Sequence, residues 1–171
     1  MQKDTITVSF CGTFKSGKSS LINAMLGMNL LPVRISSATA VVTRVYYSEK
    51  PEAYVTRKNA DGSLQRDSIL PEEISQYILL KEKTLRGARI SDIQEVGVGI
   101  PHPLLKPGIV FVDTPGLDDD KQLSEITFRE MQNADLAVII YNATKFISMD
   151  EIKAASRLTE LLGGNILFVI N

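Results

Sequence analysis

One segment constrains the fold of this chain more than any other: Gly12-Thr-Phe-Lys-Ser-Gly-Lys-Ser19, which matches the pattern G-x-x-x-x-G-K-[ST]. It lies between an apolar, β-branched run over residues 5–11 and a helical pattern over 17–25. In this context the glycines let backbone N–H groups surround a polyphosphate at the N-terminus of the helix. Lys18 would lie beside the β and γ oxygens, and the Ser19 hydroxyl would ligate Mg²⁺. The segment predicts a nucleotide-binding loop and favours it over an accidental match in an ordinary turn.

A second motif follows a later strand. Residues 108–113 form a continuous apolar run, typical of a strand covered on both faces, and lead into Asp113-Thr-Pro-Gly-Leu117. Asp113 is predicted to hold the metal through water. The Gly116 N–H is predicted to reach the γ-phosphate, so that the loop after it senses that phosphate. Many P-loop ATPases carry a second acid directly after this aspartate; Thr114 stands there instead, which favours a GTPase.

The rest of the chain alternates strand and helix patterns. This predicts an α/β fold of the P-loop NTPase type, with three α/β/α layers, a mostly parallel sheet and helices on both faces. Segment 40–47 is expected to run antiparallel at or near an edge. A turn is predicted at Asp61-Gly62, and a capping box from Ser148 to Glu151 starts the last helix. The predicted strands are 5–11, 40–47, 53–58, 93–100, 108–113, 137–142 and a buried strand 166–170, and the predicted helices are 17–25, 71–83, 124–133 and 149–162.

Length and charge narrow the possible functions. A chain of 171 residues suits one domain. The formal charge of -1 gives no general attraction to nucleic acid, so no nucleic-acid partner is expected. The single cysteine, Cys11, cannot form an internal disulfide and is expected to be a small buried residue. A single cysteine suggests a reducing compartment, so we expect a cytoplasmic protein. The N-terminus lacks a secretory signal, and no apolar run reaches the roughly 20 residues that span a bilayer, so this chain is not expected to cross a membrane by itself.

Four blocks together resemble the GTPase domain of bacterial dynamin-like proteins. They are the loop and its continuation over 17–27, Leu31-Pro32, Thr39-Ala-Val-Val-Thr43 and Asp113-Thr-Pro-Gly-Leu117. The resemblance spans nearly the whole chain and implies one GTPase domain over 1–171. It further implies hydrolysis of GTP to GDP and phosphate, homodimerisation across the nucleotide face, and membrane remodelling through helical segments outside the domain. A peripheral association with membranes is therefore expected.

The resemblance assigns further site residues by position. Thr39 would ligate Mg²⁺ and position the attacking water, with Thr43 as the alternative, and Ser20 would support the α-phosphate through its N–H. Motifs and resemblance together place these residues at the nucleotide: Gly12, Lys15, Ser16, Gly17, Lys18, Ser19, Ser20, Asp113, Gly116 and Asn171, with Ser19, Thr39 and Asp113 at the metal.

The transition state needs additional positive charge. Leu117 cannot supply it, nor can it orient water as the glutamine of small signalling GTPases does. Lys15 occupies the position where dynamins carry a residue that coordinates a monovalent cation, and where atlastins and guanylate-binding proteins carry a catalytic arginine. We therefore expect Lys15 to act as a catalytic residue, with its ammonium near the bridging oxygen in cis. Arg34 is a rival donor, in cis or across a dimer, and a bound monovalent cation is a third candidate.

Guanine recognition rests on the resemblance alone. The family reads the base with an N/T-K-x-D motif after the strand that is here 166–170, and Asn171 would be its first residue. The lysine, the aspartate and the remaining strand and helix would follow, so we expect the domain to be incomplete at its C-terminus.

Three alternatives stay open. The first is a translation-factor-related GTPase that acts on the ribosome or on RNA, against which the long stretch from 54 to 100 argues. The second is a nucleotide-gated scaffold that dimerises with little hydrolysis, and the third is a P-loop ATPase. His102 and the run Asp118-Asp-Asp120 are expected to be surface residues without a role in the reaction.

Overall fold

The computed structural model describes residues 5–33, 41–78, 84–85, 88–89, 92–117 and 121–171. Its strands are β1 (Ile6–Cys11), β2 (Val42–Tyr47), β3 (Glu52–Lys58), β4 (Leu64–Ile69), β5 (Thr84–Leu85), β6 (Ala88–Arg89), β7 (Ile93–Ile100), β8 (Ile109–Asp113), β9 (Leu136–Tyr141) and β10 (Ile166–Ile170). Its helices are α1 (Lys18–Leu26), α2 (Ile74–Ile78), α3 (Lys121–Gln132) and α4 (Met149–Leu162), and a 3₁₀ turn, Pro71–Glu73, precedes α2.

The main sheet is mixed, and its strand order is β10-β9-β1-β8-β2-β7-β3-β4. Strands β10, β9, β1 and β8 run parallel to one another. Strand β2 runs antiparallel to β8 and parallel to β7, whereas β3 runs antiparallel to both β7 and β4. Strands β5 and β6 form a separate antiparallel pair. The predicted three-layer α/β fold, with helices on both faces of the main sheet and an antiparallel edge strand, is confirmed.

The position predicted for segment 40–47 is wrong, although its antiparallel direction relative to β8 is right. β2 lies inside the sheet, between β8 and β7, and its residues Val42 and Val45 are buried. The antiparallel edge strand is β4, which the sequence does not reveal. β4 reads Leu-Gln-Arg-Asp-Ser-Ile, and its residues are mostly exposed, so it lacks the apolar alternation by which half-buried strands are recognised.

The burial predicted for 166–170 is also wrong. β10 ends the sheet opposite β4, and Leu167, Phe168 and Ile170 are 51%, 51% and 75% exposed. A continuous apolar run predicts a strand, but it does not say whether elements cover both of its faces.

The helices follow the predictions with shifts at their ends. α1 ends at Leu26 and is capped by Gly27, which has φ of 62°. α3 begins a few residues earlier than predicted, at Lys121. The capping box of α4 is formed, because Ser148 Oγ accepts from the Glu151 N–H while the Glu151 carboxylate accepts from the Ser148 N–H. The predicted helix 71–83 is split into the 3₁₀ turn and α2, and its residues 79–83 lie outside the described ranges.

Apolar side chains on both faces of the sheet form the core. On the face toward α1 and α2, Phe10, Ile22, Val45 and Phe111 belong to one large cluster. On the face toward α3 and α4, a smaller cluster contains Cys11, Met131, Ala137, Ile139 and Leu158. The two layers hold the parallel strands firmly, so the loops at their carboxyl ends start from fixed points.

Two glycines of β7 make room for tyrosine rings on the sheet surface. A Cβ on Gly97 would lie 2.0 Å from Cε1 of Tyr54. The Tyr54 hydroxyl donates to Glu95 at 2.8 Å, and the Arg66 guanidinium lies 3.9 Å from the centre of the Tyr54 ring. The ring is therefore held between the backbone of β7 and a cation.

No helix in the described part of the chain is both long and apolar enough to cross a bilayer.

Candidate functional site

The predicted phosphate-binding loop lies at the carboxyl end of β1, where the chain enters α1. A Cβ on Gly12 would lie 2.4 Å from the carbonyl oxygen of Ile140. Gly17 has φ of 101°, and a Cβ on it would lie 2.2 Å from Nδ2 of Asn171. The backbone carbonyl therefore requires glycine at position 12. At Gly17 the requirement comes from the positive φ, and an added Cβ would also displace the Asn171 amide.

Lys18 points back into this loop. Its ammonium donates to the carbonyl oxygens of Gly12 at 3.0 Å and Thr13 at 3.1 Å, and the residue is only 7% exposed. A buried ammonium is costly unless its donors are satisfied, and these carbonyls satisfy two of the three. The loop thus holds a cation among its own backbone groups.

Asp113 lies beside that cation, at the end of β8. The Ser19 hydroxyl donates to Asp113 Oδ2 at 2.5 Å, whereas Oδ1 is buried and has no hydrogen-bond partner among the described residues. Burial raises the pKa of Asp113 to about 6, although the Lys18 charge and the Ser19 hydrogen bond act in the opposite direction. The carboxyl group therefore lacks one favourable interaction that a bound cation would provide.

The donor set at this position suits Mg²⁺. This ion prefers hard oxygen ligands and keeps several of its waters. Ser19 offers a hydroxyl oxygen, and Asp113 offers the carboxylate oxygen that is left unsatisfied. The pair fits the metal role predicted for it, whereas Thr39, the third predicted ligand, lies outside the described residues.

The second motif packs directly against the phosphate-binding loop. The Leu117 N–H donates to the Gly12 carbonyl at 3.3 Å, and Gly116 is buried. The Thr114 hydroxyl donates to the Phe10 carbonyl at 2.7 Å, and the Thr127 hydroxyl of α3 donates to the Pro115 carbonyl at 3.0 Å. Thr114 therefore ties this loop to β1, a role that its place in the sequence does not reveal.

Two asparagines reach the loop from neighbouring strand ends. Asn171 follows β10, and its Nδ2 donates to the Ser16 carbonyl at 3.0 Å. Asn142 follows β9, and its Nδ2 donates to the Lys15 carbonyl at 3.4 Å. Asn142 is not among the predicted site residues. Its position at the carboxyl end of a parallel strand is the signal that could have identified it, because such ends converge on one side of the sheet.

The loop residues between the glycines differ in exposure. Lys15 is exposed, and its ammonium lies 5.2 Å from the centre of the Phe14 ring. Ser16 is fully buried, and its Oγ lacks a hydrogen-bond partner within the described chain. Ser20 lies exposed in the first turn of α1.

The remaining predicted residues lie as follows. Thr43 is buried next to Asp113 across the β2–β8 pair, and its hydroxyl donates to the Val41 carbonyl at 3.5 Å. Cys11 is fully buried, as predicted, and burial raises the pKa of its thiol to about 12. His102 is partly exposed, and its Nδ1 accepts from the Leu104 N–H. Arg34 and Asp118-Asp-Asp120 lie outside the described residues.

Comparison with known proteins gives a consistent result. The family model described as the Dynamin family matches residues 8–171. The bacterial dynamin-like protein of Nostoc punctiforme is 27% identical over 176 residues, which cover 100% of this chain and 25% of that protein. The transmembrane GTPase Marf of Drosophila melanogaster is 29% identical over 174 residues, which cover 100% of this chain and 20% of that protein.

A solved structure shares the fold. It is that of an oligomerised bacterial dynamin pair, described as a mechanism for the long-range sensing and tethering of membranes. The match has a TM-score of 0.66 and 25% identity, and covers 98% of this chain and 26% of that one. The chain thus spans about a quarter or less of the length of these three proteins.

Proposed function

The chain belongs to the dynamin family, and from this premise we propose that it binds GTP and hydrolyses it to GDP and phosphate with the help of Mg²⁺. The observation that carries the proposal is the contact between Ser19 and Asp113 beside Lys18, where one carboxylate oxygen stays unsatisfied among the described residues. The name of the Drosophila relative, a GTPase, supports the same reaction.

The residues contribute positioning and charge, as phosphoryl transfer requires. Lys18 exchanges its bonds to the Gly12 and Thr13 carbonyls for bonds to phosphate oxygens. When bound, Mg²⁺ neutralises charge on the phosphate oxygens. Ser19 would hold the ion directly and Asp113 through water, while the Gly116 N–H would bind the γ-phosphate.

Thr39 and Lys15 complete the proposed reaction. Thr39 is the third metal ligand and aims the attacking water, with Thr43 as the alternative. Lys15 brings its ammonium toward the bridging oxygen, where charge develops as the bond to the leaving group breaks. Arg34 is the alternative source of this charge.

Asn171 is proposed as the first residue of the base-reading motif. Its side chain already contacts the loop at Ser16, at the carboxyl end of β10, which supports a place beside the nucleotide. GTP is proposed over ATP because the chain belongs to the dynamin family and because Thr114 follows Asp113.

A nucleotide-dependent homodimer through the GTPase domain is the second part of the proposal. The oligomerised dynamin pair supports it, because that protein matches nearly the whole of this chain. We propose that the protein works at a membrane surface from the cytoplasm and couples hydrolysis to membrane remodelling through helical segments outside residues 1–171.

The test is steady-state turnover of GTP, with ATP as the comparator, in the intact protein. Lys18→Ala should abolish turnover, because it removes the cation inside the loop. Lys106→Ala is the matched control, since this exposed lysine precedes β8 at the other end of the sheet. Equal use of ATP, or full turnover in Lys18→Ala, would overturn the proposal. Tight GTP binding without turnover would indicate a nucleotide-gated scaffold instead.

A further inference from the structure

We propose that Asn142 is a positioning residue that holds Lys15 in the backbone conformation its reaction requires. The inference rests on the proposed function, because Lys15 is the residue that supplies positive charge in the proposed reaction and Asn142 would position it. It concerns a side chain that neither the sequence motifs nor the family match assigns to the site.

The starting observation is the backbone of Lys15. Its φ is 64°, and it is the one non-glycine residue at positive φ in the described part of the chain. A side chain at Cβ makes this region sparsely populated, and such residues persist only where their surroundings hold them. The surroundings of Lys15 must therefore contain groups that fix it.

The peptide group between Lys15 and Ser16 is held at both ends. On one side, Asn142 Nδ2 donates to the Lys15 carbonyl at 3.4 Å. On the other, the Ser16 N–H donates to the Thr13 carbonyl at 3.2 Å. The carbonyl and the N–H of one peptide group point in opposite directions, so the two bonds together resist its rotation. The two bonds fix the peptide group that follows Lys15, so any change of the Lys15 backbone that moves this group must break them.

The orientation of the Asn142 amide is fixed in turn. Its Oδ1 accepts from the Thr144 N–H at 2.9 Å and from the Thr144 hydroxyl at 2.7 Å. Two donors at this oxygen assign it as the carbonyl end of the amide, so the NH₂ end faces Lys15. The turn after β9 therefore presents a donor to the tip of the phosphate-binding loop.

The backbone around Asn142 is anchored to the next strand. The Ala143 N–H donates to the Asn171 carbonyl at 2.8 Å, and the Asn171 N–H donates to the Tyr141 carbonyl at 2.9 Å. Asn142 thus starts from a rigid strand end, as a positioning group must. Removal of the Asn142 Nδ2 donor should leave the fold intact and loosen only the phosphate-binding loop around Lys15.

Asn142→Asp is the informative variant. It keeps the shape and the acceptor for Thr144 but removes the donor to Lys15. We expect kcat for GTP to fall by about tenfold, with KM changed by less than about twofold, because the interaction matters in the transition state. Asn142→Ala, which adds no charge, should act alike.

Asn133→Asp is the matched control. The Asn133 amide also donates to a backbone carbonyl, that of Arg129, at 3.0 Å, but it follows α3 outside the site. Its kcat should equal that of the unmodified protein. Thermal melting of each variant shows whether the fold is retained, and Asn142→Ala carries the test if Asn142→Asp does not fold.

The double variant Lys15→Ala/Asn142→Asp tests how Asn142 acts. If Asn142 works through Lys15, the second substitution should lower kcat by less than about twofold once Lys15 is gone. An unchanged kcat in Asn142→Asp while Lys15→Ala is impaired would overturn this inference alone. The inference would also be overturned if Asn142→Asp lowered kcat by the full tenfold, about as much as in the unmodified protein, in a protein that already carries Lys15→Ala. Absent GTP turnover in the unmodified protein would instead mark the failure of the proposed function.

Discussion

At the scale of single residues, burial sets the acid–base behaviour of Asp113. Its carboxyl group is fully buried, and its pKa is raised to about 6. The folded state therefore binds a proton more tightly than the unfolded chain does. Stability that protonation provides is complete below the ordinary carboxyl pKa and is lost as the pH rises through 6.

In metal-depleted protein, we predict that the free energy of unfolding falls by up to about 3 kcal/mol between pH 4 and pH 7 because of this group. Asp113→Asn should remove that part of the pH dependence. Urea unfolding of both proteins in the presence of a chelator, at several pH values, measures the difference. If the free energy of unfolding changed with pH in the same way in both proteins, Asp113 would not be the source of the pH dependence.

Gly17 has a positive φ and lies close to the Asn171 amide. Gly17→Ala should cost about 2–3 kcal/mol of stability and weaken GTP binding, because the new Cβ meets Asn171 and φ is positive. Gly62→Ala is the control: φ there is 85°, but no atom lies within 4 Å of the added Cβ. Gly62→Ala should therefore lose stability only through the unfavourable backbone conformation. Equal losses in the two variants by denaturant unfolding would argue against the clash.

Much of the candidate site could be predicted from residues that a motif names. Two short patterns each follow one of two neighbouring parallel strands, so their residues meet at one end of the sheet. These residues are Gly12, Gly17, Lys18, Ser19 and Asp113. Asn142 could not be predicted in this way. Its contact with Lys15 depends on a turn whose geometry is set by the neighbouring strand, and no local pattern encodes that.

At the scale of elements, β7 shows how a strand accepts glycine. Gly97→Ala should destabilise the protein by about 1–3 kcal/mol, because its Cβ would displace the Tyr54 ring from between the backbone and Arg66. The backbone of β7 itself tolerates alanine. In the Tyr54→Ala background the same substitution should therefore cost little, and denaturant unfolding of the four proteins checks this.

A large cost of Gly97→Ala that persists without Tyr54 would show that something other than the ring opposes the new methyl group. The matched position is Gly99, whose added Cβ would lie 2.8 Å from side-chain atoms of Glu52 and Ser48. The nearest ring atom there, Cε2 of Tyr46, would lie 3.0 Å from the added Cβ, compared with 2.0 Å for the Tyr54 ring at Gly97, so Gly99→Ala should cost less than Gly97→Ala.

The elements also show where sequence patterns stop being informative. The parallel strands β1, β8 and β9 are strongly apolar and were predictable. β4 was not, because its outer side has no strand partner among the described residues and its side chains need not be apolar. The interior place of β2 was not predictable either, because strand order depends on long-range pairing that a local pattern does not contain.

At the scale of the whole molecule, the sheet has two parts with different tasks. The parallel strands β10, β9, β1 and β8 carry the site at their carboxyl ends, whereas β7, β3 and β4 extend the sheet away from it. Strand β2 joins them: its Thr43 lies beside Asp113, and its Arg44 binds both Glu95 of β7 and Glu130 of α3.

If the protein dimerises through the nucleotide face, turnover per molecule should depend on concentration. We predict a rise of at least about threefold over a hundredfold range of protein concentration, because mass action favours the active dimer. Sedimentation should show dimers with a GTP analogue and monomers with GDP. Constant specific activity over that range would contradict a dimer-stimulated reaction.

Lys18 has a consequence for how fast a nucleotide can be captured. Its ammonium is held by the Gly12 and Thr13 carbonyls, so the phosphate-binding loop already contains a bound cation. The loop then keeps its shape before a ligand arrives, and little ordering entropy remains to be lost on association. A nucleotide that binds here would replace the two carbonyls as the hydrogen-bond partner of Lys18. The rate of binding would then depend on how fast Lys18 breaks its bonds to those carbonyls.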